Sequence, residues 1–200
     1  SIYALDLPGF GKSEIPRSPF SLADYSEIVK EFIQKLNLQN ISLIGHSFGG
    51  RIAIKLAALN PSLLKKVVLV DSAGMQTKRK VTRMILAKLV KPLFLLPFTK
   101  NLRVKIYQYM GAEDYVATPE LRETFLNVIR EDLTALLPRI AVPTLIVWGR
   151  RDQETPLEFA YVLQKNIRNA RLVILDDAGH FSFLDSPETF LENLTAFLKE

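Results

Sequence analysis

Two kinds of hydrophobic pattern take turns along the chain. Over residues 21–36, Leu22, Tyr25, Ile28, Val29, Phe32, Ile33 and Leu36 return every three or four places, the spacing of one helix face. Ser21 followed by Asp24 suits a capping box at the start of that helix. Residues 41–45 (ISLIG), 67–71 (VVLVD), 143–148 (PTLIVW) and 171–175 (RLVIL) are short, continuous apolar runs. Such runs suit strands buried on both faces of a parallel sheet. Residues 2–6 (IYALD) read as another strand, entering a Pro/Gly turn. Helices are expected over 48–59, halted before Pro61, over 157–165, and from Ser186, with Pro187 in the first turn.

Strand and helix therefore alternate, except over residues 74–137, where the pattern is helical and no strand is evident. The expected fold class is α/β: a mostly parallel sheet flanked by helices, with a helical insertion. The core would be residues 1–73 and 138–200, and residues 74–137 a cap or lid. No repeat or low-complexity tract interrupts this order.

Composition narrows the chemistry. With 200 residues, 48% hydrophobic and 24% charged, the chain can bury a sizeable core. It has no cysteine, which excludes disulfides, thiolate catalysis and Cys-based zinc sites. That fits a reducing compartment, and a cytoplasmic location is expected. The net charge of +5 is modest, and nucleic-acid binding would need it gathered on one face. Residues 75–112 do carry many Lys and Arg and no acid, interleaved with Ile85, Leu86, Leu89, Val90, Phe94 and Leu96. This reads as a cap helix with a solvated basic face. The sharper alternative is a surface that touches an anionic membrane or admits an acidic, greasy substrate. No nucleic-acid partner is expected, and no apolar run reaches the ~20 residues of a membrane span.

Candidate chemistry begins at Gly45-His46-Ser47-Phe48-Gly49, a G-x-S-x-G pattern between an expected strand and an expected helix. A tight turn there projects the Ser47 hydroxyl, and Gly45 and Gly49 are expected to relieve the collision between strand and helix. The Phe48 N–H would lie at a helix N-terminus, suited to binding an oxyanion. A serine hydroxyl needs a neighbouring base, and the chain has two histidines. His46 is inside the turn and badly placed, more suited to packing or supporting it. His180, in a loop between the last strand and the last helix, is the expected base. Asp152 follows the strand of residues 143–148, in Gly149-Arg150-Arg151-Asp152, and is the expected acid, because open α/β sheets gather their sites at strand carboxyl ends. Asp71 is its rival, and Asp176, Asp177 and Asp185 are weaker candidates. Asp152 could instead be a helix cap or pair with Arg150 or Arg151. Gly9-Phe10-Gly11-Lys12-Ser13 superficially suggests a phosphate loop, but Asp6 stands where that motif needs glycine. A tight turn beside the active site is the better reading.

DLPGFGKS (6–13), GHSFGG (45–50), VWGRRD (147–152) and AGHF (178–181) follow one another in order. Together they resemble the signature loops of the α/β-hydrolase superfamily, in its esterase and carbon–carbon hydrolase branch. Branches with an Asp nucleophile fit less well, since position 47 is Ser. The resemblance implies the α/β-hydrolase fold and catalysis by Ser47, Asp152 and His180 in the chain order of that fold. It implies no metal or organic cofactor, and a small, hydrophobic substrate. It also implies a His-Gly loop supplying a second oxyanion donor, and a strand between those at residues 2–6 and 41–45. Neither occurs in the sequence, so a fragment of a longer chain is expected. The expected function is ester or related acyl hydrolysis. Carbon–carbon hydrolysis of a vinylogous diketone acid is one alternative, and a non-catalytic binding protein or inert fragment the other.

Overall fold

Four of the five apolar runs become strands, each with a neighbour to bond. The computed structural model describes residues 1–76 and 119–200. The described residues form two compact units, one of residues 1–20 with 76 and 119–130, the other of residues 21–75 with 131–200.

In the second unit the elements run α1 (Leu22–Lys35), β1 (Ile41–His46), α2 (Phe48–Leu59) and β2 (Leu64–Val70). After the residues of the first unit come β3 (Thr144–Gly149), α4 (Glu158–Asn166), β4 (Ala170–Leu175), the short α5 (Ser182–Asp185) and α6 (Pro187–Lys199). The strands lie in the order β1-β2-β3-β4, all parallel. The register sets Leu69 beside Gly45 and Ile146, so β1 and β2 end level and β3 runs two residues further.

The central strands β2 and β3 are buried on both faces, which is why they read as unbroken apolar runs. Val68, Val70, Leu145, Val147 and Leu175 pack with Phe190 and Phe197 of α6. The alternate residues Val67, Leu69, Ile146 and Trp148 are fully buried too, as the period of two requires. α2 packs along β1 and β2, and α1 packs on α2. The stripe read from the sequence supplies the buried Leu22, Tyr25, Val29 and Ile33 of α1, and the Ser21–Asp24 capping box is present. Burying one such side chain is worth about 1.5–3 kcal/mol. Lys66 is buried in this core and donates to the Phe197 carbonyl at 2.7 Å, where the last turn of α6 presents unpaired carbonyls.

In the first unit, α3 (Arg122–Arg130) follows a 3₁₀ turn at Pro119–Leu121. Its Thr124 hydroxyl accepts the Phe20 N–H at 2.9 Å, and Gln76 donates to the Arg130 carbonyl at 2.9 Å. The helical reading of residues 74–137 is met over Arg122–Arg130, and residues 134–139 form a 3₁₀ helix. The basic stretch and most of the expected cap lie outside the described residues.

One expected strand does not form. Residues 1–7 carry no regular structure, and Ile2 is 97% exposed. Apolar composition gives a segment the side chains of a strand, but only a ladder partner satisfies its backbone. The expected turn that follows is present, and it is not a phosphate cradle. The Asp6 carboxylate accepts the Lys12 N–H at 3.0 Å and occupies the space where a Cβ on Gly11 would sit. The chain's own anion thus takes the N–H a phosphate would need. Among the described residues, no helix is long and apolar enough to cross a membrane.

Candidate active site

The turn from β1 into α2 holds Ser47 at φ 47° and ψ −110°, a backbone conformation that non-glycine residues rarely adopt. Three bonds hold it there. The Ser47 N–H donates to the Val70 carbonyl at 3.1 Å, and the Ser47 carbonyl accepts the N–H groups of Gly50 and Ala73, both at 3.1 Å. A Cβ on Gly45 would lie 2.5 Å from the Gly49 carbonyl oxygen, so the expected collision is real at that position. At Gly49 the expectation needs correcting, because a Cβ there would meet nothing within 4 Å. The second obligatory small residue is Gly50, whose missing side chain makes room for Ser72. Phe48 is the first residue of α2, with its ring edge-on to Tyr25 at 5.1 Å between centroids. Its backbone N–H therefore lies at the positive end of the helix.

His180 lies in the loop between β4 and α5. Its Nε2 is 3.0 Å from the Ser47 hydroxyl, and its Nδ1 is 2.9 Å from the Asp152 carboxylate. The three residues are thus joined in one chain of hydrogen-bond contacts, although 133 positions separate Ser47 from His180. With Asp152 ionised, the proton belongs on Nδ1, and Nε2 faces the Ser47 hydroxyl as an acceptor. Gly149 lets the two loops meet. A Cβ there would overlap the Gly179 carbonyl and come within 2.6 Å of the Ala178 carbonyl oxygen.

Asp152 is neither a helix cap nor a partner of the neighbouring arginines. Arg150 pairs with Asp176 and Arg151 with Asp177, both at 2.6 Å and exposed. The Asp152 carboxylate instead accepts the N–H groups of Glu154 (2.8 Å) and Thr155 (2.9 Å) and the Thr155 hydroxyl (2.6 Å). Burial opposes its charge, but these donors and His180 outweigh burial and hold the carboxyl below its ordinary value. For His180, burial also disfavours the charged form. The Asp152 hydrogen bond and the charges of Asp152, Glu154 and Asp71 reverse this and raise the imidazole above its usual range.

Asp71, the rival acid, is fully buried but does not bond the imidazole. One oxygen accepts the Gly149 N–H at 2.7 Å, and the other accepts the N–H and hydroxyl of Ser182. It thus ties the end of β3 to the segment just after His180. Burial pushes its carboxyl up to about 6. Asp185 accepts the Gly179 N–H at 2.8 Å. His46 supports His180: its Nε2 donates to the His180 carbonyl at 2.8 Å, and the two rings lie 4.8 Å apart. Burial keeps His46 on the neutral side of its ordinary value.

Sequence reasoning missed Thr155, Glu154 and Ser182. The spacing Asp152-x-x-Thr155 is that of a side chain capping its own turn, and it was the one local signal available. The contacts of Ser182 with Asp71 span 111 positions and leave no trace in the sequence.

With the geometry in place, comparison with known proteins is informative. A family model described as alpha/beta hydrolase family matches residues 1–193. The chain is similar to AB hydrolase superfamily protein YisY of Bacillus subtilis (strain 168), 31% identical over 214 residues, covering 92% of this chain and 76% of that protein. It is also similar to a 2-hydroxy-6-oxononadienedioate/2-hydroxy-6-oxononatrienedioate hydrolase of a Pseudomonas species, at 26% identity over 98% of this chain and 76% of the other. Among solved structures it resembles an esterase (EaEST) from Exiguobacterium antarcticum. That match has a TM-score of 0.71 and 30% identity over 97% of this chain and 80% of the esterase.

Proposed function

Because the chain belongs to the alpha/beta hydrolase family, we propose that it is a serine hydrolase cleaving a carboxylic ester or related acyl bond through an acyl-enzyme. Its fold is the α/β-hydrolase fold expected from the sequence. The observation that carries the proposal is the contact chain Ser47 Oγ–His180 Nε2 at 3.0 Å and His180 Nδ1–Asp152 at 2.9 Å.

Each residue has one task. As the Ser47 oxygen bonds to the substrate's acyl carbon, its proton passes to His180 Nε2. The imidazolium that forms is stabilised by the ionised Asp152, which also fixes the tautomer. Charge gathering on the carbonyl oxygen is met by the Phe48 N–H at the start of α2. The bond to the leaving group then breaks, and Nε2 returns the proton to the departing oxygen. In the second half, His180 takes a proton from water, the hydroxide adds to the acyl carbon, and Ser47 leaves with its proton restored.

Similarity to the esterase supports ester cleavage, and the same three residues serve the second reading, carbon–carbon hydrolysis of a vinylogous diketone acid, supported by similarity to the oxononadienedioate hydrolase. Short-chain nitrophenyl esters test the first reading. Hydrolysis is expected to fall at least about 1000-fold in Ser47→Ala, since losing a triad nucleophile costs up to about 10⁶-fold. Equal rates in both proteins would remove Ser47 from the mechanism and favour a non-catalytic role.

A further inference from the structure

Glu154 stands beside the base on the side away from Asp152. Its carboxylate lies 3.3 Å from His180 Nε2, the nitrogen that faces Ser47 at 3.0 Å. The turn that forms the Asp152 cradle also places it, since the Glu154 N–H donates to Asp152 at 2.8 Å. The Glu154 side chain is 59% exposed, whereas the imidazole is buried, so this carboxylate forms part of the open rim of the site. Among the described residues, no lysine or arginine pairs with it. The other charges near the imidazole are the buried carboxylates Asp152 and Asp71, and the adjacent ring of His46 is held toward its neutral form. Among the described residues, the strongest charges acting on the imidazole are therefore all negative.

This arrangement has a consequence for the substrate. In acyl transfer the leaving group departs from the position that Nε2 protonates. A leaving group within hydrogen-bond reach of Nε2 is also within a few ångströms of the Glu154 carboxylate. We propose that Glu154 is a specificity-determining residue that selects neutral or cationic leaving groups and disfavours those carrying a carboxylate. The inference rests on the serine-hydrolase reading and sharpens it toward esters of uncharged alcohols and phenols.

The test compares phenyl acetate with 4-carboxyphenyl acetate on the full-length protein at low ionic strength. The acyl group is shared, and intrinsic reactivity cancels when the ratio of kcat/KM is compared between variants. The ratio, neutral over anionic, is expected to fall about tenfold in Glu154→Gln and further in Glu154→Lys. That is the size of one Coulomb repulsion across a half-exposed site. The wild-type ratio is also expected to shrink as salt rises, and the Glu154→Gln ratio to respond less. A ratio unchanged across all three proteins, with both activities lost in Ser47→Ala, overturns the proposal and leaves the serine-hydrolase reading standing. Turnover that survives Ser47→Ala, or wild-type protein that hydrolyses neither ester, overturns that reading and the proposal with it.

Discussion

The carboxyl ends of β2 and β3 each carry an aspartate, and the two behave in opposite ways. Asp71 and Asp152 are both buried, both lie where a parallel sheet gathers its chemistry, and either could have been the acid behind His180. Asp152 sits in a turn that offers it two backbone N–H groups and a hydroxyl, and it faces the imidazole. Asp71 receives the Gly149 N–H and Ser182, and its carboxyl rises to about 6 while that of Asp152 falls. Each accepts two backbone N–H groups and one hydroxyl; the imidazole beside Asp152 separates them, while at Asp71 burial prevails. The carboxylate that meets an imidazole in reach of a serine hydroxyl is the one we propose as the acid, and the one bonded to two loop segments holds them together.

The two aspartates are expected to differ most in turnover. Asp152→Asn leaves the shape of the site intact but removes the charge that fixes the tautomer, a change that costs about 10⁴-fold in the best-studied serine triad. Asp71→Asn is expected to cost about tenfold, because Asp71 does not bond the imidazole and acts on it only through its charge and through Ser182. Steady-state kinetics on an activated ester gives both numbers. Equal losses would mean that the two aspartates act as one unit.

A smaller effect concerns stability against pH, and the two carboxylates contribute with opposite signs. Asp71 has its folded value raised from 3.8 to about 6, so the native state binds more protons than the unfolded chain across that window. Stability from this group falls as pH rises from 4 to 6 and is flat above, a change of about 3 kcal/mol. Asp152, with its value lowered, contributes stability above the ordinary carboxylate range that is lost as pH falls through its folded value. Denaturant midpoints at pH 4, 5, 6 and 7 are expected to show the Asp71 contribution in the wild type and its disappearance in Asp71→Asn. Identical pH slopes in the two proteins would show that Asp71 does not titrate in that window.

The smallest effect falls on the pairs the sequence could not tell apart from the acid. Arg150→Ala and Arg151→Ala each break one exposed ion pair. Each is expected to change stability by less than about 1 kcal/mol and turnover by less than twofold. A loss of activity comparable to that of Asp152→Asn would tie these arginines to the acid after all.

What the sequence revealed about the site was what local pattern can encode. The helix stripe with its Ser21–Asp24 box, the four paired apolar runs and the placement of Ser47, Asp152 and His180 at strand ends all follow from spacing within a dozen residues. What it concealed depends on contacts made only after folding. Residues 2–6 look like the other strands, yet no ladder partner orders them. Gly49 and Gly50 are equivalent on paper, and only the position of Ser72 shows which one is obligatory. Asp71 and Asp152 were rivals because both lie at the ends of apolar strands, and the choice rests on where His180 and Ser182 lie more than 100 positions after Asp71. Glu154 gave no signal at all, because an exposed glutamate in a turn is ordinary until a buried imidazole lies 3.3 Å away.

The central claim is that His180 draws the proton from Ser47, and covalent capture tests it most directly. The rate at which a fluorophosphonate modifies the protein, followed by intact mass and peptide mapping, isolates the first half of the reaction from substrate preference. Modification is expected on the peptide that contains Ser47, and Ser47→Ala is expected to abolish it. His180→Gln is expected to slow it by at least about 1000-fold. Modification at another residue, or the same rate in His180→Gln as in the wild type, would contradict it.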